Sequence, residues 1–64
     1  MRTKNARLKV TEDDIGRTVI YRPRDLPPVE GVIVAFTGHF VFVCYKGEQF
    51  SKATRYWDLE YKGH

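Results

Sequence analysis

The chain has 64 residues, of which 42% are hydrophobic and 14% aromatic, and its formal net charge is +3. A chain this short buries only about 60% of the surface that its unfolded form exposes, so it has room for one core and one domain. Its single cysteine, Cys44, excludes an internal disulfide framework, and no compact set of cysteines and histidines offers a tetrahedral zinc site. We expect a domain held together by packing, without a metal or a cofactor.

The charge is unevenly distributed along the chain. Residues 1–9 carry four of the eleven positive side chains and no negative one, whereas residues 10–64 carry the other seven with all eight negative side chains. A dedicated nucleic-acid-binding domain instead spreads positive charge over one face. We therefore predict a flexible basic arm over residues 1–9 and a folded domain over residues 10–64.

The sequence also bears on location. The first residues lack the run of about seven or more apolar side chains that a secretory signal requires. No segment is long and apolar enough to cross a bilayer. We expect a soluble cytoplasmic protein that does not bind membranes.

The first predicted element is a single helical turn at residues 11–16. Thr11 is suited to cap it, Asp14 occupies the third position after the cap, and Gly16 is suited to end it. The three acidic side chains of this turn lie near the positive end of the helix dipole. This capping role is favoured over a divalent-cation site, because the loops that bind hard cations space their ligands around a glycine.

Short β-branched and apolar segments separated by turn residues predict five strands. They cover residues 17–21, 29–36, 40–45, 49–55 and a short segment around 59–61. Three prolines within residues 23–28 predict a surface loop after the first strand, because proline lacks the N–H that a sheet requires. A single tight turn at residues 56–58 precedes the last strand. The predicted fold class is all-β, with at most single helical turns.

Residues 30–48 form the most apolar segment and predict a hairpin. A two-residue turn, Gly38–His39, or a four-residue turn, 37–40, gives the same pairing of Phe36 with Val41. Because side chains alternate along a strand, this pairing predicts two faces. The predicted core face consists of Val32, Val34, Phe36, Val41, Val43 and Tyr45. The predicted outward face consists of Ile33, Ala35, Phe42 and Cys44, with Phe40 at the tip.

Five short strands, a proline-rich loop after the first and a tight turn before the last resemble a small SH3-like barrel. In more detail, the segments IGRTVIYRP (15–23), EGVIV (30–34), FVFVCYKG (40–47) and KATRYWDLEY (52–61) resemble short bacteriophage and prophage proteins with a Tudor- or KOW-like barrel of this type, most of them uncharacterised. The resemblance covers residues 15–61, implies this fold and a viral origin, and brings no catalytic motif. Cys44 commonly aligns with a charged residue and Tyr56 with a proline, so this chain is more apolar at both positions.

Catalysis is not expected. Cys44 lies within a strand, about five residues or roughly 17 Å of extended chain from His39 in the turn. A nucleophile needs a base within hydrogen-bonding distance, and this pair does not meet that requirement. We predict that the protein is not an enzyme and has no catalytic residue.

The nine aromatic residues exceed what such a small core is expected to hide. We predict that a patch binds a host factor or a phage component, because the centres of interfaces are rich in aromatic and poor in charged residues. The patch consists of Phe40, Phe42, Cys44, Tyr56 and Trp57. A homodimer through the same patch, an aromatic cage for a methylated cation as in Tudor modules, and rings that merely fill the core all stay open.

The alternative partner is RNA or DNA. The residues that would contact phosphates are Arg2, Lys4, Arg7 and Lys9 in the arm and Arg22 and Arg24 in the loop. Against this hypothesis, Glu12, Asp13 and Asp14 directly follow the arm and would repel the same phosphates. Under either hypothesis the protein would act in the cytoplasm, that of the host cell if a phage encodes it.

Overall fold

The computed structural model describes residues 8–62, which form one five-stranded antiparallel sheet and two single 3₁₀ turns. The elements are η1 (Glu12–Asp14), β1 (Thr18–Tyr21), β2 (Val29–Phe36), β3 (Phe40–Tyr45), β4 (Lys52–Arg55), η2 (Tyr56–Asp58) and β5 (Leu59–Tyr61). The strand order is β4-β3-β2-β1-β5, and all neighbouring strands are antiparallel. The predicted all-β class is confirmed, and the order with a 3₁₀ turn before the last strand is that of an SH3-like barrel. Within residues 8–62, no helix is long and apolar enough to span a membrane.

The β2–β3 hairpin contains a β-bulge. Next to the turn, Phe36 pairs with Val41 as predicted, and Ala35 pairs with Phe42. Ile33 then pairs with Val43, which leaves Val34 as an extra residue in β2. Because side chains alternate along a strand, the extra residue reverses the orientation predicted for every residue of β2 that precedes it.

The bulge corrects the predicted core. Ile33, predicted to face outward, is completely buried, whereas Val32 and Val34, predicted to be buried, are 39% and 44% exposed. The prediction of the core face is therefore wrong for the part of β2 that precedes Ala35. The observed core consists of Val19, Ile33, Val41, Val43, Tyr45, Tyr56 and Leu59.

Gly31 permits the close approach of β2 to β3. It pairs with Tyr45 and faces the core. A Cβ atom on Gly31 would lie 2.4 Å from Val43 Cγ1 and 2.9 Å from Tyr45 Cδ1, closer than such atoms approach in folded proteins. The core can close at this point because residue 31 has no side chain.

The turn between β2 and β3 is closed by Thr37. Its hydroxyl oxygen accepts hydrogen bonds from the N–H groups of His39 and Phe40, each at 3.1 Å. Its own N–H donates to the carbonyl of Phe40 at 2.8 Å. The carbonyl of Thr37 accepts a hydrogen bond from the Tyr56 hydroxyl. The turn is therefore attached to η2, which lies 19 residues further along the chain.

The segment before β1 covers part of the core. Leu8 and Val10 pack against the core residues, and the Tyr61 hydroxyl donates to the carbonyl of Lys9 at 2.6 Å. The folded part thus includes residues 8 and 9, which the sequence assigned to the arm. The remainder of the predicted arm, residues 1–7, lies outside the described residues.

Asp14 joins the 3₁₀ turn η1 to the sheet. Its Oδ2 accepts a hydrogen bond from the Thr11 N–H at 2.8 Å, and its Oδ1 lies 3.0 Å from Nη1 of Arg17. The Arg17 guanidinium in turn lies 3.6 Å from the centre of the Tyr61 ring, within the range of a cation–π interaction. The Thr11 N–H and then the Arg17 guanidinium lower the pKa of Asp14. The predicted capping box of Thr11 and Asp14 is present, and the turn ends at Ile15, one residue before the predicted Gly16.

We predict that Gly31→Ala destabilises the fold by about 1–3 kcal/mol, the usual result of overpacking a core. Urea unfolding monitored by circular dichroism measures the change. Gly38→Ala is the matched control, because a Cβ atom there has no neighbour within 4 Å. Equal stability of the two variants would contradict the close approach at Gly31.

We also predict that Asp14→Asn weakens the dependence of stability on pH. The lowered pKa of Asp14 means that its contribution is complete above the pKa of about 3.9 in the unfolded chain and is lost as the pH falls through the folded-state value. The variant should be less stable near pH 7 and should lose less stability on acidification. Urea midpoints between about pH 7 and pH 3 measure this.

Asp13→Asn removes the same charge from the same turn and serves as the control for Asp14→Asn. Some acid sensitivity should persist in the Asp14 variant, because the hydrogen bond from Lys62 also lowers the pKa of Glu30. Parallel pH profiles for the wild type and Asp14→Asn would show that Asp14 does not link η1 to the sheet.

Candidate protein-binding surface

One side of the β2–β3–β4 sheet is apolar and faces away from the core. Strand pairing places Val32 beside Cys44, and Ala35 beside Phe42 and Ala53. Paired residues project to the same side of an antiparallel sheet, and the alternate residues of β3 fill the core. The bulge adds Val34 to this side. We call the outer face the surface formed by Val32, Val34, Ala35, Phe40, Phe42, Cys44 and Ala53.

The outer face is accessible in the folded chain. Phe40 is 42% exposed, a value similar to those of Val32 and Val34. Ala35 and Ala53 are also exposed, and Phe42 and Cys44 are half-buried. Arg55, which pairs with Phe40, marks one end of the face, and charged residues begin again at Glu30 and Lys46. A contiguous apolar surface on a small domain is typical of an interaction site.

Three of the five predicted protein-binding residues lie together on the outer face, namely Phe40, Phe42 and Cys44. Tyr56 does not, and its prediction as a surface residue is wrong. It is 3% exposed, because η2 folds over the end of the core and its hydroxyl reaches the carbonyl of Thr37. Trp57 is 54% exposed, but within residues 8–62 the structure shows no ring contact between Trp57 and Phe40 or Phe42.

The sequence prediction missed four members of the outer face. Val32 and Val34 were assigned to the core because the bulge leaves no signature in a run of β-branched residues. Ala35 was predicted to face outward but was not selected for binding, and Ala53 is a small residue on the fourth strand. Phe50 was also not selected, although it is 78% exposed in the segment between β3 and β4.

Cys44 contributes a small apolar surface. Its thiol is half-buried and donates a weak hydrogen bond to the carbonyl of Glu48 at 3.5 Å. Among residues 8–62, no three side chains of His, Cys, Asp or Glu are grouped so that they could hold a metal ion. The geometry around Cys44 therefore fits a packing role.

The positive side chains that were predicted to contact RNA or DNA do not form a patch in the described part of the chain. Arg22 turns to β5, where its Nη2 lies 2.7 Å from Glu60 Oε2. Residues 8–62 carry eight positive and eight negative side chains, and five ion pairs join ten of them. Lys9 and Arg24 are exposed, whereas Arg2, Lys4 and Arg7 lie outside the described residues.

The aromatic-cage alternative gains little support from the rings that the structure does bring together. Tyr21 and Tyr45 have centroids 5.7 Å apart and planes tilted by 48°. The charged residues that line the cleft beside them are Lys52, Arg55 and Asp58, and Asp58 is already paired with Arg55 at 3.2 Å, so the cleft offers no free carboxylate to a cationic ligand. Burial raises the pKa of Tyr45, whose hydroxyl shares a 2.5 Å hydrogen bond with that of Thr54. These features are typical of a core tyrosine whose buried hydroxyl has a hydrogen-bond partner.

Comparison with protein-family models, curated proteins and solved structures finds no match to this chain. The resemblance to short phage proteins therefore stays a prediction. The exposed apolar side of the sheet is the feature on which a proposal for function rests.

The different environments of Tyr56 and Trp57 generate a prediction. Tyr56→Ala should destabilise the fold by about 3–5 kcal/mol, the usual result of removing a buried aromatic ring. Trp57→Ala should change the stability by about 0.5 kcal/mol or less, as expected for an exposed position. Urea unfolding of both variants measures the difference. Similar losses in the two variants would contradict the burial of Tyr56.

Proposed function

We propose that this protein is a non-enzymatic interaction module that binds another protein through its outer face. The observation that carries the proposal is the exposure of Val32, Val34 and Phe40 on one side of the folded chain. Leaving these side chains in water forgoes the free energy that burial would release, about 25 cal/mol for each Å² of apolar surface. A partner that covers the face would recover this free energy.

The outer face is also pre-organised for binding. Its side chains project from three hydrogen-bonded strands, so little backbone conformational entropy remains to be lost when a partner binds. Phe40 and Phe42 are large, rigid side chains of the kind that anchor interfaces. The surrounding small residues, Ala35 and Ala53, let a partner approach the rings closely.

The resemblance to short phage proteins supports a host factor or a phage component as partner, in the cytoplasm of a bacterial cell. Nucleic acid is the weaker candidate, because the eight positive side chains of residues 8–62 are balanced by eight negative ones. The excess of positive charge that phosphate contacts require is carried by Arg2, Lys4 and Arg7 alone, so residues 8–62 add no net charge to such contacts.

We predict that Phe42→Glu and Val34→Glu abolish capture of a protein partner from bacterial lysate, because each places a carboxylate in an apolar interface. The capture should persist after nuclease treatment. Affinity purification with a tagged chain, followed by mass spectrometry, measures both effects.

Leu26→Glu provides the matched control. Leu26 is 68% exposed in the loop between β1 and β2, outside the outer face, and undergoes the same change of charge. Circular dichroism establishes that each variant is folded. Capture that survives both face substitutions in folded protein, or that disappears with nuclease, would overturn the proposed function.

A further inference from the structure

A pocket continues the outer face beyond Val32 and Cys44. It has a volume of about 230 Å³, and its other lining residues are Thr18, Glu30, Gly31 and Lys46. A closed cavity of about 150 Å³ is large enough to hold benzene, so this pocket has room for one large apolar side chain.

The charges at this pocket do not cancel. Lys62 Nζ lies 2.5 Å from Glu30 Oε2, and the positive charge of Lys46 also acts on the same carboxylate. The backbone N–H of Lys46 donates to the carbonyl of Glu30 at 3.0 Å, which places the two residues opposite each other in the sheet. Lys62 therefore neutralises Glu30, whereas none of the ion pairs within residues 8–62 includes Lys46, whose positive charge has no carboxylate partner there.

The other carboxylate on this side of the sheet is also occupied. Glu60 pairs with Ile20, which pairs with Glu30, so its side chain projects to the same side. Its carboxylate accepts two hydrogen bonds from Arg22, at 2.9 and 2.7 Å. Both of these carboxylates in the described part of the chain are thus paired, so a second copy that docked with the same side of its sheet would offer neither of them free to Lys46. The charge favours a different protein over self-association.

We infer that the outer face binds a segment of another protein that inserts one large apolar side chain into this pocket and places an aspartate or glutamate beside Lys46. The inference rests on the proposed function and specifies the chemistry of the partner. The apolar side chain supplies most of the affinity, and the ion pair with Lys46 fixes the orientation and excludes basic segments.

Selection from a displayed library of random peptides tests the inference. Peptides enriched on the wild type should combine an aromatic or large aliphatic residue with a nearby aspartate or glutamate. A synthetic peptide of the most enriched sequence should bind Lys46→Glu about fivefold more weakly, the upper end of what one exposed ion pair contributes. Replacing the acidic residue of that peptide by lysine should restore binding to Lys46→Glu.

Arg24→Glu is the control variant for charge. Arg24 is exposed in the loop between β1 and β2 and does not line the pocket, so the substitution changes the net charge equally without altering the site. Peptide affinity should be the same for Arg24→Glu and the wild type. An equal loss in both variants would overturn the inference, because it would show a general charge effect.

The remaining outcomes separate this inference from the proposed function. Peptides that bind the wild type but not Phe42→Glu, without any preference for acidic residues, would overturn the role of Lys46 and leave the proposed function intact. If no enriched peptide loses its binding in Phe42→Glu or Val34→Glu, both this inference and the proposed function are overturned. Analytical ultracentrifugation gives the last outcome. A wild-type dimer that dissociates in Phe42→Glu would assign the outer face to a second copy of the chain and overturn the inference of a segment from another protein.

Discussion

The extra residue at the bulge of β2 determines which side chains form the core and which remain outside. Without Val34 as an unpaired residue, Ile33 would face solvent and Val32 would face the core. The same strand pairs with β1 over residues 29–32 and with β3 over residues 31–36. Both the closed core and the apolar outer face therefore depend on one local irregularity.

The close approach of β2 to β3 has a steric requirement that Gly31 meets. Residue 31 faces Val43 and Tyr45 at a distance that leaves no space for a Cβ atom. Two tyrosine hydroxyls then attach peripheral segments to the sheet, since Tyr56 bonds to the carbonyl of Thr37 and Tyr61 to that of Lys9. Within residues 8–62, no buried side-chain nitrogen or oxygen lacks a hydrogen-bond partner. A core this small is therefore completed by hydrogen bonds from the aromatic residues that border it.

The sequence predicted the features that depend on neighbouring residues. Strand number, the Thr37–Phe40 turn and the cap by Asp14 follow from local signals, and the alternation along β3 correctly placed Phe40 and Phe42 outward. The register of β2 could not be predicted, because valine and isoleucine occupy residues 32–34 and offer the same hydrophobicity to either face. Tyr56 was misplaced for a related reason, since whether η2 folds over the core depends on contacts with the distant Thr37.

The pattern of ion pairs bears on how the outer face distinguishes partners. Five of the eight carboxylates in residues 8–62 are paired within the domain, so most of the charged surface is already neutralised. An apolar surface alone would bind many exposed apolar segments with similar affinity, because the hydrophobic effect has no direction. Lys46, which has no ion-pair partner at the edge of that surface, favours one orientation of an acidic segment at little cost in stability. Specificity would then come from Lys46 and affinity from the apolar residues beside it, a division of roles that a small domain with one apolar face can support.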